Sequence, residues 1–370
     1  MRQESKIRIG IIGAGTWSQY AHIPAIKDHP DAELVAICQR NPEKLKRVAE
    51  QWNIPHAYRD YREMLERQLL DGVIISTPHH VHYAQARLAL ERGLAVLLEK
   101  PMVAKASEAR ELITLAKQKG KPLLVGHPLP HTPIAQRARV LVQEGKLGTV
   151  KHLTAVFASP AAILFRHEPL PDDFGDYVPE HKIEPYSLTT YSSPDMGGGQ
   201  NQTAVSHTAS LLFWITGRRP TQVSAFMEND GCPVDAYDSI TFRLDNGGLG
   251  TLASWGTLSY KQKGLHEFRI MGEQGLMILD ATAATLSVRW QNGQIEDLAR
   301  PAAKSEGEQG YFGGDPDIWP RFAPARNLVD VLLGRAEPVC TGEHTLPCVE
   351  LVEAAAQSAK LGGQPISIGG

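Results

Sequence analysis

Near the start of the chain a buried-strand signature runs directly into a glycine-rich turn. Ile7-Arg8-Ile9-Gly10-Ile11-Ile12 is a short apolar run, and Gly13-Ala14-Gly15-Thr16-Trp17-Ser18 follows it. A run without alternation suits a parallel strand covered on both faces. The turn has the spacing G-x-G-x-x-G, with Ser18 in place of the last glycine. The first glycine permits the tight turn, and the second lets the backbone approach a pyrophosphate. The helix beyond offers free N–H groups and the positive end of its dipole. Set between a strand and a helix, the turn predicts a dinucleotide-binding βαβ unit.

The alternation continues to residue 126. Strands are expected at 33–38, 72–77, 95–98 and 123–126. Helices are expected at 16–28, after the Asn41-Pro42 cap, at 80–92 and at 105–119. After a helix at 132–145, strands follow one another at 149–158, 221–228, 237–244, 249–256, 265–271, 275–280 and 284–290. Asp245-Asn246-Gly247 and Gln291-Asn292-Gly293 mark hairpins. Period-two alternation in 151–156 and 239–243 leaves one sheet face wet or covered by a partner. Two helices, about 320–334 and 346–361, close the chain. The expected fold class is α/β: an N-terminal Rossmann parallel sheet plus a C-terminal α+β domain with a large, mostly antiparallel, open-faced sheet. The domains are placed at 1–126 and 127–370, since one core rarely exceeds ~250–300 residues.

Composition excludes several classes. The 38 basic and 41 acidic residues nearly cancel, which speaks against a nucleic-acid binder with a basic face. No apolar run approaches a membrane span, and no signal peptide is read at the start. Four scattered cysteines without a CxxC pair read as reduced thiols of a cytoplasmic protein. The chain has 14 histidines, and His79, His80, His82, His127 and His131 follow two parallel strands. They lack the spacing and carboxylate company of a zinc site, so no metal is expected. No hydrolase, zincin or P-loop motif occurs.

Cofactor choice is open between NAD and NADP. The second strand ends in Cys38-Gln39-Arg40-Asn41, without the carboxylate that bonds a ribose 2′-hydroxyl in NAD enzymes. Arg40 could pair with a 2′-phosphate. Gln39 could equally bond a 2′-hydroxyl while Arg40 stacks on the adenine.

Several features together resemble the glucose-fructose oxidoreductase / inositol dehydrogenase (Gfo/Idh/MocA) family. They are Gly13-Ala14-Gly15 with His22-Ile23-Pro24-Ala25, Ser76-Thr77-Pro78 with His82 and Ala86, and Glu99-Lys100-Pro101. Gly145-Lys146-Leu147-Gly148 follows, then Gly197-Gly198-Gly199 with His207 and Gly217. Order and spacing match along nearly the whole chain. The resemblance implies NAD(P)-dependent redox chemistry on a sugar, glycoside or cyclitol, and a homodimer or homotetramer formed through the C-terminal sheet. It also implies a cofactor site at Gly13, Gly15, Thr16, Trp17, Gln39, Arg40, Thr77, Pro78, His82, Glu99 and Lys100.

Hydride transfer needs a base for the hydroxyl proton and a polariser for the developing alkoxide. Lys100, at the end of a parallel strand, is assigned to the active site by the resemblance. His207 is the expected acid/base, its ordinary pKa being ~6.5. Family members often carry Asp-x-x-x-His here, but this chain has Thr203 one turn before His207. Substrate contact is therefore expected from Lys100, His127, Arg166, Gln200, Thr203 and His207. The long 160–200 stretch adds His167, Asp172, Asp173, His181 and Tyr186 as further polar groups.

Two other readings remain. One is a glycosidase or lyase whose tightly bound NAD is reduced and reoxidised in each turnover. The other is a non-catalytic cofactor-binding sensor.

Overall fold

The computed structural model describes residues 6–169, 188–299 and 319–369. The first sheet has six parallel strands: β1 (Ile7–Ile12), β2 (Ala32–Cys38), β3 (His56–Tyr58), β4 (Gly72–Ile75), β5 (Ala95–Leu98) and β6 (Leu123–Val125). Their order is β3-β2-β1-β4-β5-β6, and the reversal of direction beside β1 is where a Rossmann sheet opens its cleft. Ile9, Ile11, Ile74 and Leu97 are fully buried, as strands covered on both faces must be.

The helices between these strands are α1 (Ile23–Lys27), α2 (Pro42–Gln51), α3 (Tyr61–Arg67), α4 (His82–Glu91) and α5 (Ala106–Lys119). Asn41 caps α2, its Oδ1 accepting from Lys44 N–H at 2.9 Å. Strand β3 is absent from the sequence reading. Its three residues form an exposed edge and carry no burial pattern to detect.

Helices α6 (Pro133–Gln143), α7 (Ala162–Phe165), α8 (Leu188–Ser192) and α9 (Ser206–Thr216) belong to the second half. Its nine-stranded sheet comprises β7 (Val150–Ala158), β8 (Pro220–Glu228), β9 (Tyr237–Leu244), β10 (Leu249–Trp255), β11 (Leu265–Gly272), β12 (Gly275–Asp280), β13 (Thr285–Trp290), β14 (Ile295–Ala299) and β15 (Ile366–Ser367). The order is β14-β13-β12-β11-β7-β10-β9-β8-β15, and every pairing except parallel β7–β10 is antiparallel. Both expected hairpin turns join antiparallel neighbours. Strands β14 and β15 extend the sheet beyond the reading. Along β9 burial alternates residue by residue, so Tyr237, Ser239, Thr241 and Arg243 face outward. The opposite face packs on α6 and α9 in one apolar cluster.

Two further helices, α10 (Ala323–Leu332) and α11 (Gly342–Lys360), lie in sequence between β14 and β15. Helix α10 returns to the first sheet, where Ala325, Leu328 and Val329 pack with Ile9, Ile74 and Leu97. Glu350 of α11, 2% exposed, accepts from Arg110 of α5 at 2.7 Å and from Arg219 before β8 at 2.9 Å. The two halves thus share one buried, doubly paired carboxylate.

Candidate active site

The glycine turn is built as its spacing demands. Gly13 has φ +103°, and a Cβ there would lie 2.2 Å from the Ser76 carbonyl oxygen, so no other residue fits. At Gly15 a Cβ would meet nothing within 4 Å, which leaves the open cradle a pyrophosphate needs. Ser18, buried, donates its hydroxyl to Gly13 O at 2.5 Å, and Gln19 Nε2 donates to Ala14 O at 3.1 Å. In place of the third glycine, Ser18 ties the turn to the helical segment behind it. Thr16 is 6% exposed beside the turn.

At the end of β2 the Gln39 Oε1 accepts from Asn41 N–H at a long 3.5 Å. Arg40 is exposed, and its carbonyl accepts from Arg59 Nε at 3.4 Å. Arg59, beyond β3, is a second guanidinium at this corner that the sequence reading did not single out. After β4, Thr77 donates its hydroxyl to Gln85 Oε1 at 2.6 Å. The His82 ring lies between the Thr77 carbonyl at 2.9 Å and the Pro101 carbonyl at 3.0 Å, which ties the loop after Pro78 to the loop after β5. Burial holds that ring below the ordinary histidine pKa.

Glu99 closes β5 and is 5% exposed. Its Oε1 accepts from Trp17 Nε1 at 2.8 Å and from His22 Nε2 at 2.8 Å, and its Oε2 accepts from Lys100 N–H at 3.1 Å. Against the cost of burial, the bond from His22 and the charges of His22 and Lys100 hold this carboxyl below its ordinary pKa. Gly126 at the end of β6 leaves the room: a Cβ there would lie 2.5 Å from Glu99 Oε1. The indole of Trp17, inside the glycine turn, is thereby bonded to the end of β5.

Lys100 stands beside this carboxylate at the cleft. Burial pushes its ammonium down to about 8, against the pull of Glu99. Three imidazoles feel its charge. Burial first, with the Lys100 charge adding to it, pushes His79 to about 3, His127 to about 3 and His207 well below the ordinary value. All three are neutral at neutral pH. The rings of His127 and His207 meet edge to face, with centroids 5.9 Å apart, and the Trp319 ring centroid lies 5.5 Å from that of His207. His127 Nε2 and His207 Nδ1 are buried without a hydrogen-bond partner. Such groups need a partner, and a substrate hydroxyl can supply one.

The helix carrying His207 begins irregularly, with a π-type stretch at Asn201–Val205 before α9. Gly199, with φ +98°, leads into it. Thr203 donates its hydroxyl back to Gly199 O at 2.7 Å, so only its lone pairs are left to meet a substrate. Gln200 is fully buried, donates to Ser254 Oγ at 2.7 Å and leaves its Oε1 without a partner. Arg166 pairs with Asp230 at 2.5 Å, and no described contact joins it to Lys100 or His207. Asp172, Asp173, His181 and Tyr186 lie outside the described residues.

Sequence reasoning missed two groups here and weighed a third, His79, only as a metal ligand that it rejected. The missed two are Trp319 and Tyr191, whose phenol is pushed up to about 12 by burial and by Glu99. His79 lies 3.1 Å from the Gly197 carbonyl. Only the position of His79 after the third expected strand offered a signal. Among the described residues no group of three or more His, Cys, Asp or Glu is arranged to hold a metal ion. No helix among them is long and apolar enough to cross a membrane.

Comparison with known proteins agrees with this geometry. Residues 7–127 match the Gfo/Idh/MocA oxidoreductase family, NAD-binding Rossmann fold, and residues 135–278 match the Gfo/Idh/MocA C-terminal domain. A dTDP-3,4-didehydro-2,6-dideoxy-alpha-D-glucose 3-reductase of Saccharopolyspora spinosa is 26% identical over 303 residues, 80% of this chain and 83% of that protein. The scyllo-inositol 2-dehydrogenase (NADP(+)) of Bacillus subtilis is 25% identical over 303 residues, 80% of this chain and 84% of that protein. Among solved structures, an oxidoreductase domain protein from Kribbella flavida superposes with a TM-score of 0.79 at 21% identity, covering 99% of this chain and 100% of that one. An oxidoreductase from Agrobacterium radiobacter, crystallised with NAD+, L-tartaric acid and magnesium, gives 0.74 at 21% identity and covers 98% and 99%. At such identity these structures speak for the fold alone.

Proposed function

This chain belongs to the Gfo/Idh/MocA family of NAD(P)-dependent oxidoreductases, and from that premise we propose that it oxidises or reduces a ring hydroxyl carbon of a sugar, glycoside or cyclitol. The relatives named above act on a deoxysugar nucleotide and on scyllo-inositol. The observation that carries the reading is Lys100, held at about 8 at the mouth of the parallel sheet and surrounded by neutral imidazoles.

The open space over Gly15 and the forced glycine at position 13 fit a dinucleotide. Gly13, Gly15 and Thr16 would hold its pyrophosphate, Thr77 and Pro78 its inner face, and Gln39 and Arg40 its adenosine ribose. When bound, the nicotinamide supplies the hydride acceptor or donor.

The chain's own residues manage the proton. A group near 8 exchanges a proton readily at neutral pH, whereas an imidazole held far below 6.5 is a weak base. Lys100 is therefore assigned the hydroxyl proton. His207, expected from sequence to take that proton, is assigned instead to orient the hydroxyl as a neutral hydrogen-bonding ring, with His127 behind it. Glu99 faces no substrate in this reading. Its oxygens are taken by Trp17, His22 and the Lys100 backbone, and its charge keeps Lys100 from falling further. The outward face of the second sheet, with Tyr237, Leu249, Leu265 and Met271 exposed, is assigned to a homodimer or homotetramer contact, which sedimentation would test.

The deciding experiment is Lys100→Ala, screened on sugars, glycosides and cyclitols with NAD and NADP against wild type. Turnover is expected to fall by about 10²–10⁴ while NAD(P)H still binds, as fluorescence would report. Near-wild-type turnover would overturn the assignment.

A further inference from the structure

We propose that Asp238 is a positioning residue: it shares one proton with Asp235 and so fixes the start of the helix that presents Thr203 and His207. Asp235 lies on the loop before β9 and acts as a cap supplied from a distance. Its Oδ2 accepts from Asn201 N–H at 2.6 Å, and its backbone carbonyl accepts from Gln200 N–H at 2.9 Å. These are among the first N–H groups of the helical run, which no preceding turn can satisfy. The approach is close enough to forbid a side chain at position 199, where a Cβ would lie 2.3 Å from Asp235 Oδ1.

Asp238, on the buried face of β9, is 3% exposed, and neither of its oxygens has a donor. Its neighbours across the sheet are Ser254 on β10 and Met227 on β8. From the helix start, Gln200 spends its Nε2 on Ser254 rather than on Asp238. Gln200 brings the two carboxyl groups to one place: Asp235 holds its backbone N–H, and its side chain is bonded to Ser254, the cross-strand neighbour of Asp238, so the charged group that faces Asp238 is Asp235. Two carboxyl groups in contact away from water cannot both ionise. The helix N–H groups and the dipole end favour the anion on Asp235, so the proton resides on Asp238 and is donated to Asp235. Burial and the Asp235 charge push Asp238 well above the ordinary carboxyl range, in keeping with this.

A purely structural aspartate would not give the pH signature that follows. As pH rises and the shared proton leaves, the two carboxylates repel, the Asp235 side chain is displaced from the helix start, and the Asn201 amide loses its acceptor, while the Gln200 amide stays on the Asp235 backbone carbonyl. Hydrogen exchange of peptide 199–207 is measured from pH 5 to pH 9, corrected for the intrinsic rate, in wild type, Asp238→Asn and Asp235→Ala. Wild type is expected to lose about five- to tenfold protection across that range, the scale of one helix cap. Asp238→Asn, whose amide N–H replaces the shared proton, keeps its protection throughout, and Asp235→Ala lacks it throughout. Infrared spectra at pH 7 are expected to show a protonated-carboxyl band in wild type that Asp238→Asn removes. Should that variant not fold, Asp238→Ser takes its place in the infrared comparison. A flat wild-type profile, parallel profiles in wild type and Asp238→Asn, or no protonated-carboxyl band would overturn the proposal. None of these readouts needs a substrate, so they are independent of whether the dehydrogenase reading holds.

Discussion

Glu99 and Asp238 are both carboxyl groups with almost no solvent exposure, yet their surroundings treat them in opposite ways. Glu99 sits where the first sheet opens, and an indole, an imidazole and a backbone amide all donate to it. Asp238 sits under the second sheet's helix with no donor of its own and a second carboxyl beside it. The first is held below its ordinary pKa and the second well above. Burial alone therefore does not decide charge. The number of donors and the sign of the nearest neighbour do.

The sharpest way to break this contrast is Glu99→Gln. The swap places an amide donor against groups that themselves donate, and it removes the charge supporting Lys100. A loss of about 3–5 kcal/mol is expected in thermal or denaturant unfolding, as for a broken buried ion pair. In the surviving protein, the pH limb of kcat that belongs to Lys100 moves to lower pH, because Glu99 normally raises that pKa. An unmoved limb would separate Glu99 from Lys100.

Gly126→Ala probes the same cluster sterically. The added methyl, 2.5 Å from Glu99 Oε1, is expected to cost about 1–3 kcal/mol by displacing the carboxylate. A neutral effect on unfolding would show that the cluster yields without loss.

The smallest expected effect is a difference in pH slope. Glu99 is lowered on folding, so its stabilisation is present above the ordinary carboxyl range and lost as pH falls through its folded pKa. Asp238 is raised on folding. Its stabilisation is complete below the ordinary carboxyl range and is lost as pH rises through its folded pKa. Melting temperatures of Asp238→Asn and wild type should therefore diverge in favour of the variant as pH rises from about 4. A constant gap would mean that Asp238 does not titrate in the folded protein.

The difference between the two clusters also separates what was legible in the chain. Glu99, Lys100 and the glycine turn could be read because parallel strands advertise their ends through short apolar runs followed by Gly or Pro. His207 could be read from its place after the triple glycine. Trp17, His22 and Glu99 form one unit across 82 and 77 residues of sequence, and no local pattern encodes that meeting. Asp235 stands in no motif that would mark it, and Asp238 occupies an inward position on β9 where a carboxyl is rare. Strand β3 escaped notice because three exposed edge residues carry no periodicity. The return of α10 to the first sheet escaped because an apolar helix face does not name the surface it will cover.

By itself, then, the sequence determined the cofactor half: an apolar run, two glycines and a strand-ending Glu-Lys-Pro leave one way to fold locally and one place to open. Only the tertiary structure decided the protonation states. Sequence reasoning gave His207 the proton because a free imidazole titrates near neutrality. The fold buries that ring beside Lys100 and His127, where charge on it is unfavourable, and brings Lys100 to about 8 instead. Desolvation and neighbouring charge depend on contacts between distant segments, and those do not exist until the chain has folded.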